Sequence, residues 1–158
     1  MRKVVANTTP LIALADIGQL DLLRQLYGEI WIPPAVLKEI ESEPAKTRIR
    51  NASWIKVVEI EKETGFEFSS RLHAGEIEVI RLAQEQKADL LLMDDNAAKK
   101  TAKFIGMSVT GSLGVLIKAK KERLIPEVKP MMEALIQDGL YVDETIQKMV
   151  LEASGENK

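Results

Sequence analysis

Two adjacent carboxylates, those of Asp94 and Asp95, directly follow the apolar run Leu-Leu-Leu-Met at residues 90–93. An apolar run that stops so abruptly is typical of a strand buried on both faces of a parallel sheet. Ligands of such sheets bind beyond the carboxyl ends of the strands, where one or both carboxylates would suit a hard divalent cation. Asp95 can equally serve only as the cap of the helix that follows, and the pair alone favours neither interpretation.

Asn7 holds the equivalent position after a first apolar run, Val-Val-Ala at residues 4–6, and Thr8 lies beside it. This order places an amide oxygen and a hydroxyl at the same predicted edge of the sheet. An Asx turn that leads into a helix capped by Thr9 explains the same residues about as well.

Glu39 and Glu76 are two further carboxylates in predicted helices. Glu76 lies in a first helical turn, where the helix dipole stabilises a carboxylate without any function. Glu39 belongs to the charged segment Lys-Glu-Ile-Glu at residues 38–41, which a solvated helix face ordinarily explains. Taken singly, each is weak evidence for a site.

The chain has no cysteine and one histidine, which excludes disulfides, thiolate metal sites and histidine-rich clusters. Any metal would therefore be held by oxygen ligands. Lack of cysteine fits a reducing compartment, and no apolar run approaches the roughly 20 residues that span a bilayer. We accordingly expect a cytoplasmic protein with no membrane partner.

A formal net charge of −2 and a pI near 5.6 disfavour nucleic-acid binding through bulk positive charge. Lys99, Lys100 and Lys103 lie along one predicted helix and could contact phosphates, although a solvated face is the default interpretation. Two tryptophans, two tyrosines and three phenylalanines provide few platforms on which single-stranded bases could stack.

Short strands alternate with helices along the chain. Strands are predicted at residues 4–6, 30–32, 54–60, 90–93 and 107–110, and helices at 9–26 (broken at Gly18), 34–43, 75–87, 96–105, 113–121, 127–137 and 143–153. This alternation predicts βαβ units. The expected fold is a three-layer αβα domain with a central, mostly parallel sheet and two C-terminal helices. The 158 residues fit one domain at 1–153, with a flexible tail at 154–158.

Four ordered segments together resemble the PIN domain pattern: VVANTTPLI at residues 4–12, IPPAVLKE at 32–39, AGEIE at 74–78 and LMDDN at 92–96. More closely, the chain is similar to an uncharacterised PIN-like branch, related to VapC-type toxin ribonucleases. In that branch Gly-Glu, Asp-Asp and a Thr-Gly-Ser-Leu-Gly segment recur, the last being residues 110–114 here.

The resemblance implies a nuclease in which acidic side chains bind Mg²⁺ or Mn²⁺, and a water activated by the metal hydrolyses the phosphodiester bonds of RNA. The implied residues, in chain order, are Asn7, Glu39, Glu76 and Asp94 or Asp95, with Thr8 and Asn96 in support. Of the aspartates, Asp95 is slightly preferred, because a polar residue commonly precedes the family's aspartate. Small antitoxin proteins and homodimers, which the apolar C-terminal helices would suit, are the further partners that the resemblance implies.

Asn7 departs from the family pattern, because an amide brings no charge and should bind a divalent ion more weakly than a carboxylate. The leading hypothesis is a metal-dependent ribonuclease, of which the toxin of a toxin–antitoxin pair is one form. The alternative is a catalytically degenerate module that binds RNA or a protein. A signalling receiver domain is disfavoured, because it needs its acidic pair after the first strand.

Overall fold

Five short strands form one parallel sheet in the computed structural model, which describes residues 3–61 and 74–157. The strands are β1 (Val4–Ala6), β2 (Ile30–Ile32), β3 (Ile55–Val57), β4 (Leu90–Leu92) and β5 (Val109–Thr110). They lie in the order β3-β2-β1-β4-β5, and every pair among them is parallel. The predicted α/β class with a central parallel sheet is confirmed.

The order of the strands places the first strand at the centre. The chain moves outward from β1 through β2 to β3, then returns to the other side of β1 to add β4 and β5. β1 and β4 are paired with Val5 opposite Leu91 and Ala6 opposite Leu92. Beyond the carboxyl ends of such a pair, where the strand order reverses, open α/β sheets bind their ligands.

Helices flank the sheet. In the described residues they are α1 (Thr8–Asp16), α2 (Asp21–Tyr27), α3 (Pro34–Glu39), α4 (Ala45–Arg50), α5 (Ala74–Gln86), α6 (Asn96–Phe104), α7 (Ser112–Lys121), α8 (Lys129–Gln137) and α9 (Glu144–Ala153). The predicted break at Gly18 and the two C-terminal helices, α8 and α9, are confirmed. None of these helices is long and apolar enough to cross a membrane.

The core is continuous and includes all three residues of β1 and of β4. Both strands are buried on both faces, which explains why their sequences are apolar without alternation. β3 lies at one edge of the sheet, and Val57 in it is 47% exposed. This confirms the prediction of a strand within residues 54–60.

The helices in the first third of the chain differ from the predictions. The helix predicted to run from residue 34 to 43 ends at Glu39, because Ile40 takes an extended conformation and buries its side chain. The short helix α4 follows Pro44 and was not predicted. The first helix begins at Thr8, with Asn7 rather than Thr9 in the capping position.

The segment after α9 contacts the body of the protein through Glu156. Its carboxylate accepts hydrogen bonds from the Lys120 ammonium (2.9 Å) and from the backbone N–H groups of Val128 (2.8 Å) and Lys129 (2.9 Å). Burial alone raises the pKa of Glu156, but these donors outweigh burial and lower the pKa to about 2. Glu156 belongs to the segment, residues 154–158, for which the sequence predicted a flexible tail.

The low pKa of Glu156 predicts a pH-dependent stability. Because the folded-state pKa of about 2 lies below the ordinary value of 4.5, the stabilisation is complete above about pH 4.5 and is lost as the pH falls toward 2. Glu156→Gln should lower the free energy of unfolding at pH 7 by on the order of 1 to 3 kcal/mol. Urea unfolding of the wild type and of Glu156→Gln, repeated at several pH values, measures this difference.

The matched control is Glu152→Gln, which changes an exposed residue of α9. It should change the free energy of unfolding by less than about 0.5 kcal/mol. A difference between wild type and Glu156→Gln that stays constant from pH 7 down to pH 2 would contradict the assignment.

Candidate active site

Asn7 lies at the carboxyl end of β1. Its backbone N–H donates to the carbonyl oxygen of Leu92 (2.8 Å), so it continues the ladder between β1 and β4 by one residue. The residue is only 4% exposed, and its Oδ1 has no hydrogen-bond partner within the part of the chain that the structure describes. In the described residues its side chain does not cap α1 either, so the Asx-turn interpretation is not supported. A buried amide oxygen without a partner destabilises the folded protein unless a ligand supplies the missing contact.

Four of the residues predicted from the sequence line one cleft of about 310 Å³. We call it the acidic cleft; it is lined by Asn7, Thr8, Thr9, Glu39 and Glu76. Glu39 is the last residue of α3, and Glu76 lies in the first turn of α5 with 6% of its surface exposed. The fold therefore gathers oxygen-bearing side chains from three distant segments of the chain.

The position of Glu39 in the acidic cleft depends on two neighbours. The Thr8 hydroxyl donates a hydrogen bond to Oε2 of Glu39 (2.8 Å). On the other side, the Glu39 carboxylate lies directly against Gly75, where a Cβ would overlap Oε1. Only glycine at this position allows the start of α5 to approach Glu39 so closely.

Glu78 joins the two helices that supply these carboxylates. Its Oε2 accepts a hydrogen bond from the backbone N–H of Ala35 (3.3 Å), in the first turn of α3. In the sequence, Glu78 is the last residue of the segment AGEIE and has no predicted role. Two α5 residues, Gly75 and Glu78, thus orient α3, while Glu76 from the same turn faces the cleft.

Asp94 and Asp95 have different surroundings. Asp95 precedes α6, and its Oδ2 accepts a hydrogen bond from the backbone N–H of Ala98 (2.9 Å). Asp95 therefore caps this helix, as one of the two interpretations of the sequence predicted. Asp94 accepts two hydrogen bonds from Ser112, one from the backbone N–H to Oδ1 (2.7 Å) and one from the hydroxyl to Oδ2 (2.6 Å). Asp94 is thereby held beyond the end of β4, at the same edge of the sheet as Asn7.

The Thr-Gly-Ser-Leu-Gly segment supplies the support for Asp94. Ser112 is completely buried, and a Cβ at Gly111 would overlap Oδ1 of Asp94. In the sequence this segment is only a recurring pattern, and its residues have no predicted role. Its serine was the available signal, because a hydroxyl that becomes buried needs a partner.

Asp94 lines a second cavity, of about 200 Å³, which we call the lysine hollow. Asn96, Lys99 and Gly111 line it as well. The predicted residues are therefore divided between two neighbouring spaces. Asn7, Thr8, Glu39 and Glu76 share the acidic cleft, and Asp94 and Asn96 share the lysine hollow.

The oxygen atoms in the acidic cleft are of the types that bind a hard cation. Mg²⁺ and Mn²⁺ prefer carboxylate and amide oxygens, and the cleft offers two carboxylates and the partnerless Oδ1 of Asn7. Within residues 3–61 and 74–157, no three acidic, histidine or cysteine side chains form a group that could hold a metal. Asp94 lines the lysine hollow rather than the cleft, and position 7 carries an amide where an aspartate would be a third carboxylate of the cleft.

Comparison with known protein families gives a match over nearly the whole chain. The family model DUF3368, described as a PIN domain, matches residues 3–156. No curated protein and no solved structure matches the chain significantly.

The two hydrogen bonds between Asp94 and Ser112 predict energetic coupling. Asp94→Ala and Ser112→Ala should each lower the free energy of unfolding by about 1 to 3 kcal/mol, because each leaves a shielded polar partner unsatisfied. In the double variant the loss should be smaller than the sum by about 1 kcal/mol. Urea unfolding of the four proteins of this double-mutant cycle measures the coupling.

Asp95 is the matched control, because its partner is Ala98 rather than Ser112. Asp95→Ala should cost about 1 kcal/mol as a lost cap, and this cost should add to that of Ser112→Ala. Additive losses for Asp94→Ala and Ser112→Ala would show that their contact does not stabilise the protein.

Proposed function

The chain belongs to the PIN domain family, and on this premise we propose that it is a metal-dependent ribonuclease that hydrolyses phosphodiester bonds in RNA. The family has a nuclease-type fold. The observation that carries the proposal is the buried, partnerless Oδ1 of Asn7, which lines one cleft with the carboxylates of Glu39 and Glu76. Such an oxygen beside two carboxylates is expected where a cation binds.

Each residue of the acidic cleft has a role in the proposal. Glu39, Glu76 and the Oδ1 of Asn7 hold Mg²⁺ or Mn²⁺. When bound, the cation supplies Lewis acidity that activates water and offsets the charge developing on the phosphate. Thr8 orients Glu39 through its 2.8 Å hydrogen bond, so that the carboxylate is in place before the substrate arrives.

We place Asp94, in preference to Asp95, as the fourth acidic residue of the site. Asp95 caps α6, whereas Asp94 follows the strand paired with β1 and is fixed by Ser112. A carboxylate has about four acceptor positions, so the two bonds from Ser112 leave Asp94 able to bind a further ligand. This choice reverses the slight preference for Asp95 drawn from the sequence.

A catalytically degenerate module that binds RNA or a protein is the second candidate. Asn7 favours it, because the acidic cleft holds two carboxylates where an aspartate would make three. In this second case the fold keeps the cleft, but cation affinity is too low to support cleavage. Turnover with Mn²⁺ separates the two candidates.

A small antitoxin is the protein partner that we propose from the similarity to VapC-type toxins. Co-expression of the chain with a short neighbouring reading frame, followed by size-exclusion chromatography, would test this partner. A stable complex whose formation suppresses cleavage is the expected result, and separate elution of the two proteins would contradict it.

Cleavage of a labelled single-stranded RNA should depend on Mn²⁺ and on the acidic cleft. Glu39→Gln and Glu76→Gln should each lower the rate at least about a hundredfold, because each removes a charge that holds the cation. Asp94→Asn should lower it as well, and Asp95→Asn should not. The measurement is initial rate with Mn²⁺ against EDTA, with circular dichroism to verify folding.

Glu41→Gln is the control, because Glu41 is an exposed glutamate two residues from Glu39. It should cleave at the wild-type rate. Wild-type rates in both Glu39→Gln and Glu76→Gln would show that the site is wrong, and lack of Mn²⁺-dependent turnover by the wild type would favour the second candidate.

Asn7→Asp should strengthen cation binding, because it adds a third carboxylate to the cleft. We expect Mn²⁺ to bind roughly tenfold more tightly, since the number of charged ligands tunes divalent-ion affinity. Titration calorimetry with Mn²⁺ measures the change, and Asn51→Asp, an exposed substitution, is its control. Equal affinities of wild type and Asn7→Asp would mean that residue 7 does not contact the cation.

A further inference from the structure

Three cavities share lining residues and follow one another along the surface, and we call the series the groove. The acidic cleft shares Thr9 with a middle hollow of about 230 Å³. The middle hollow in turn shares Leu140 and Tyr141 with the lysine hollow. The groove therefore runs from the carboxylates of the acidic cleft to the side chain of Lys99.

Lys99 differs from other lysines of the described residues in its surroundings. Lys120 is paired with Glu156, and Lys118 lies over the ring of Tyr27 (4.8 Å to the centroid). Lys99 is half-buried in the lysine hollow, and its ammonium forms no hydrogen bond or ion pair within the described part of the chain. Asp94 Oδ1 and Lys99 Nζ both lie against the place that a Cβ on Gly111 would take, so the ammonium has a carboxylate nearby without pairing with it. A partly desolvated ammonium that is not paired can still bind an anion.

Tyr141 provides an aromatic surface between the middle and lysine hollows. It is 87% exposed, although it lines both of them. An aromatic ring beside an unpaired lysine is the combination that binds single-stranded nucleic acid, since the ring stacks on a base and the lysine contacts a phosphate.

The middle hollow contains two carboxylates that would repel a phosphate. Asp16 and Asp138 line it, and burial together with the hydrogen bond to Asp138 raises the pKa of Asp16. Two neighbouring carboxylates disfavour a phosphate at this point. The lysine hollow also contains carboxylates, those of Asp94 and Asp143, so a phosphate there depends on the charge of Lys99.

We infer that the lysine hollow is a nucleotide subsite for single-stranded RNA, in which Lys99 binds a phosphate adjacent to the scissile one and Tyr141 stacks on its base. This inference rests on the proposed nuclease function and names the substrate form that the site accepts. A base held in a duplex is already stacked on its neighbours, so a stacking platform selects unpaired RNA.

Binding of a fluorescein-labelled oligouridylate tests the subsite without cleavage, if Ca²⁺ replaces Mn²⁺. Tyr141→Ala should weaken binding by about 5- to 100-fold, the effect of losing one base stack, while Tyr141→Phe should bind like the wild type. Lys99→Gln should weaken binding and lower the slope of log affinity against log salt by about 0.7, the effect of one phosphate contact. Fluorescence anisotropy at several salt concentrations measures both.

Two controls match these variants closely. Phe104→Ala removes a ring that is 86% exposed but lies outside the groove, and Lys100→Gln removes the neighbouring exposed charge of the same helix. Both should bind the oligouridylate like the wild type. Equal binding by Tyr141→Ala, Lys99→Gln and the controls would overturn the subsite, as would lack of binding by the wild type.

The outcomes separate this inference from the proposed function. If cleavage depends on Mn²⁺ but oligouridylate binding is unaffected by Lys99→Gln and Tyr141→Ala, the subsite is contradicted and the nuclease function is supported. If binding depends on Lys99 and Tyr141 but the protein does not cleave RNA, the subsite is supported and the nuclease function is contradicted.

Discussion

Three residues of β1 pair in parallel with three residues of β4, and all six side chains are buried. Burial on both faces leaves no place for a polar side chain along either strand, so polar residues stand only where the strands end. Parallel pairing brings both ends to the same edge. Asn7 and Asp94 therefore lie at the same edge of the sheet because the two strands are apolar, and the candidate site is arranged along that edge.

Carboxylates that share a small space repel one another, so each needs a group that holds it. Hydroxyl groups have that role here, since Thr8 donates to Glu39 and Ser112 donates to Asp94. Glycines supply the space, because Gly75 and Gly111 allow these carboxylates to lie directly against the backbone. Small and hydroxylated residues behind the acidic ones thus determine where the charges lie.

The sequence was sufficient to predict the parallel sheet. Continuous apolar runs indicate burial on both faces, and the polar residues that end those runs lie at the carboxyl edge of the sheet, as predicted. Asn7, Glu39 and Glu76 were connected only through the family resemblance, since nothing in their spacing shows that α3 and α5 meet. The early end of α3 was missed because the burial of Ile40, a tertiary contact, overrides helical periodicity.

Side chains that act through tertiary placement were harder to predict. The scarcity of aromatic residues led us to expect few stacking platforms, and the composition could not show that one exposed ring, that of Tyr141, lines the lysine hollow. Ser112 likewise belonged to a recognised motif, yet its partner lies 18 positions away in the chain. Contacts of this kind become visible only when the sheet has brought the segments together.

Gly75 also limits how this protein can be made more robust. Alanine inside a helix is ordinarily more stable than glycine by about 0.5 to 1 kcal/mol, so selection for heat resistance alone would favour alanine there. The added methyl group would occupy the place of the Glu39 carboxylate and force it away from the position in which Thr8 holds it. Thermal stability thus favours alanine at position 75, whereas the position of the Glu39 carboxylate requires glycine.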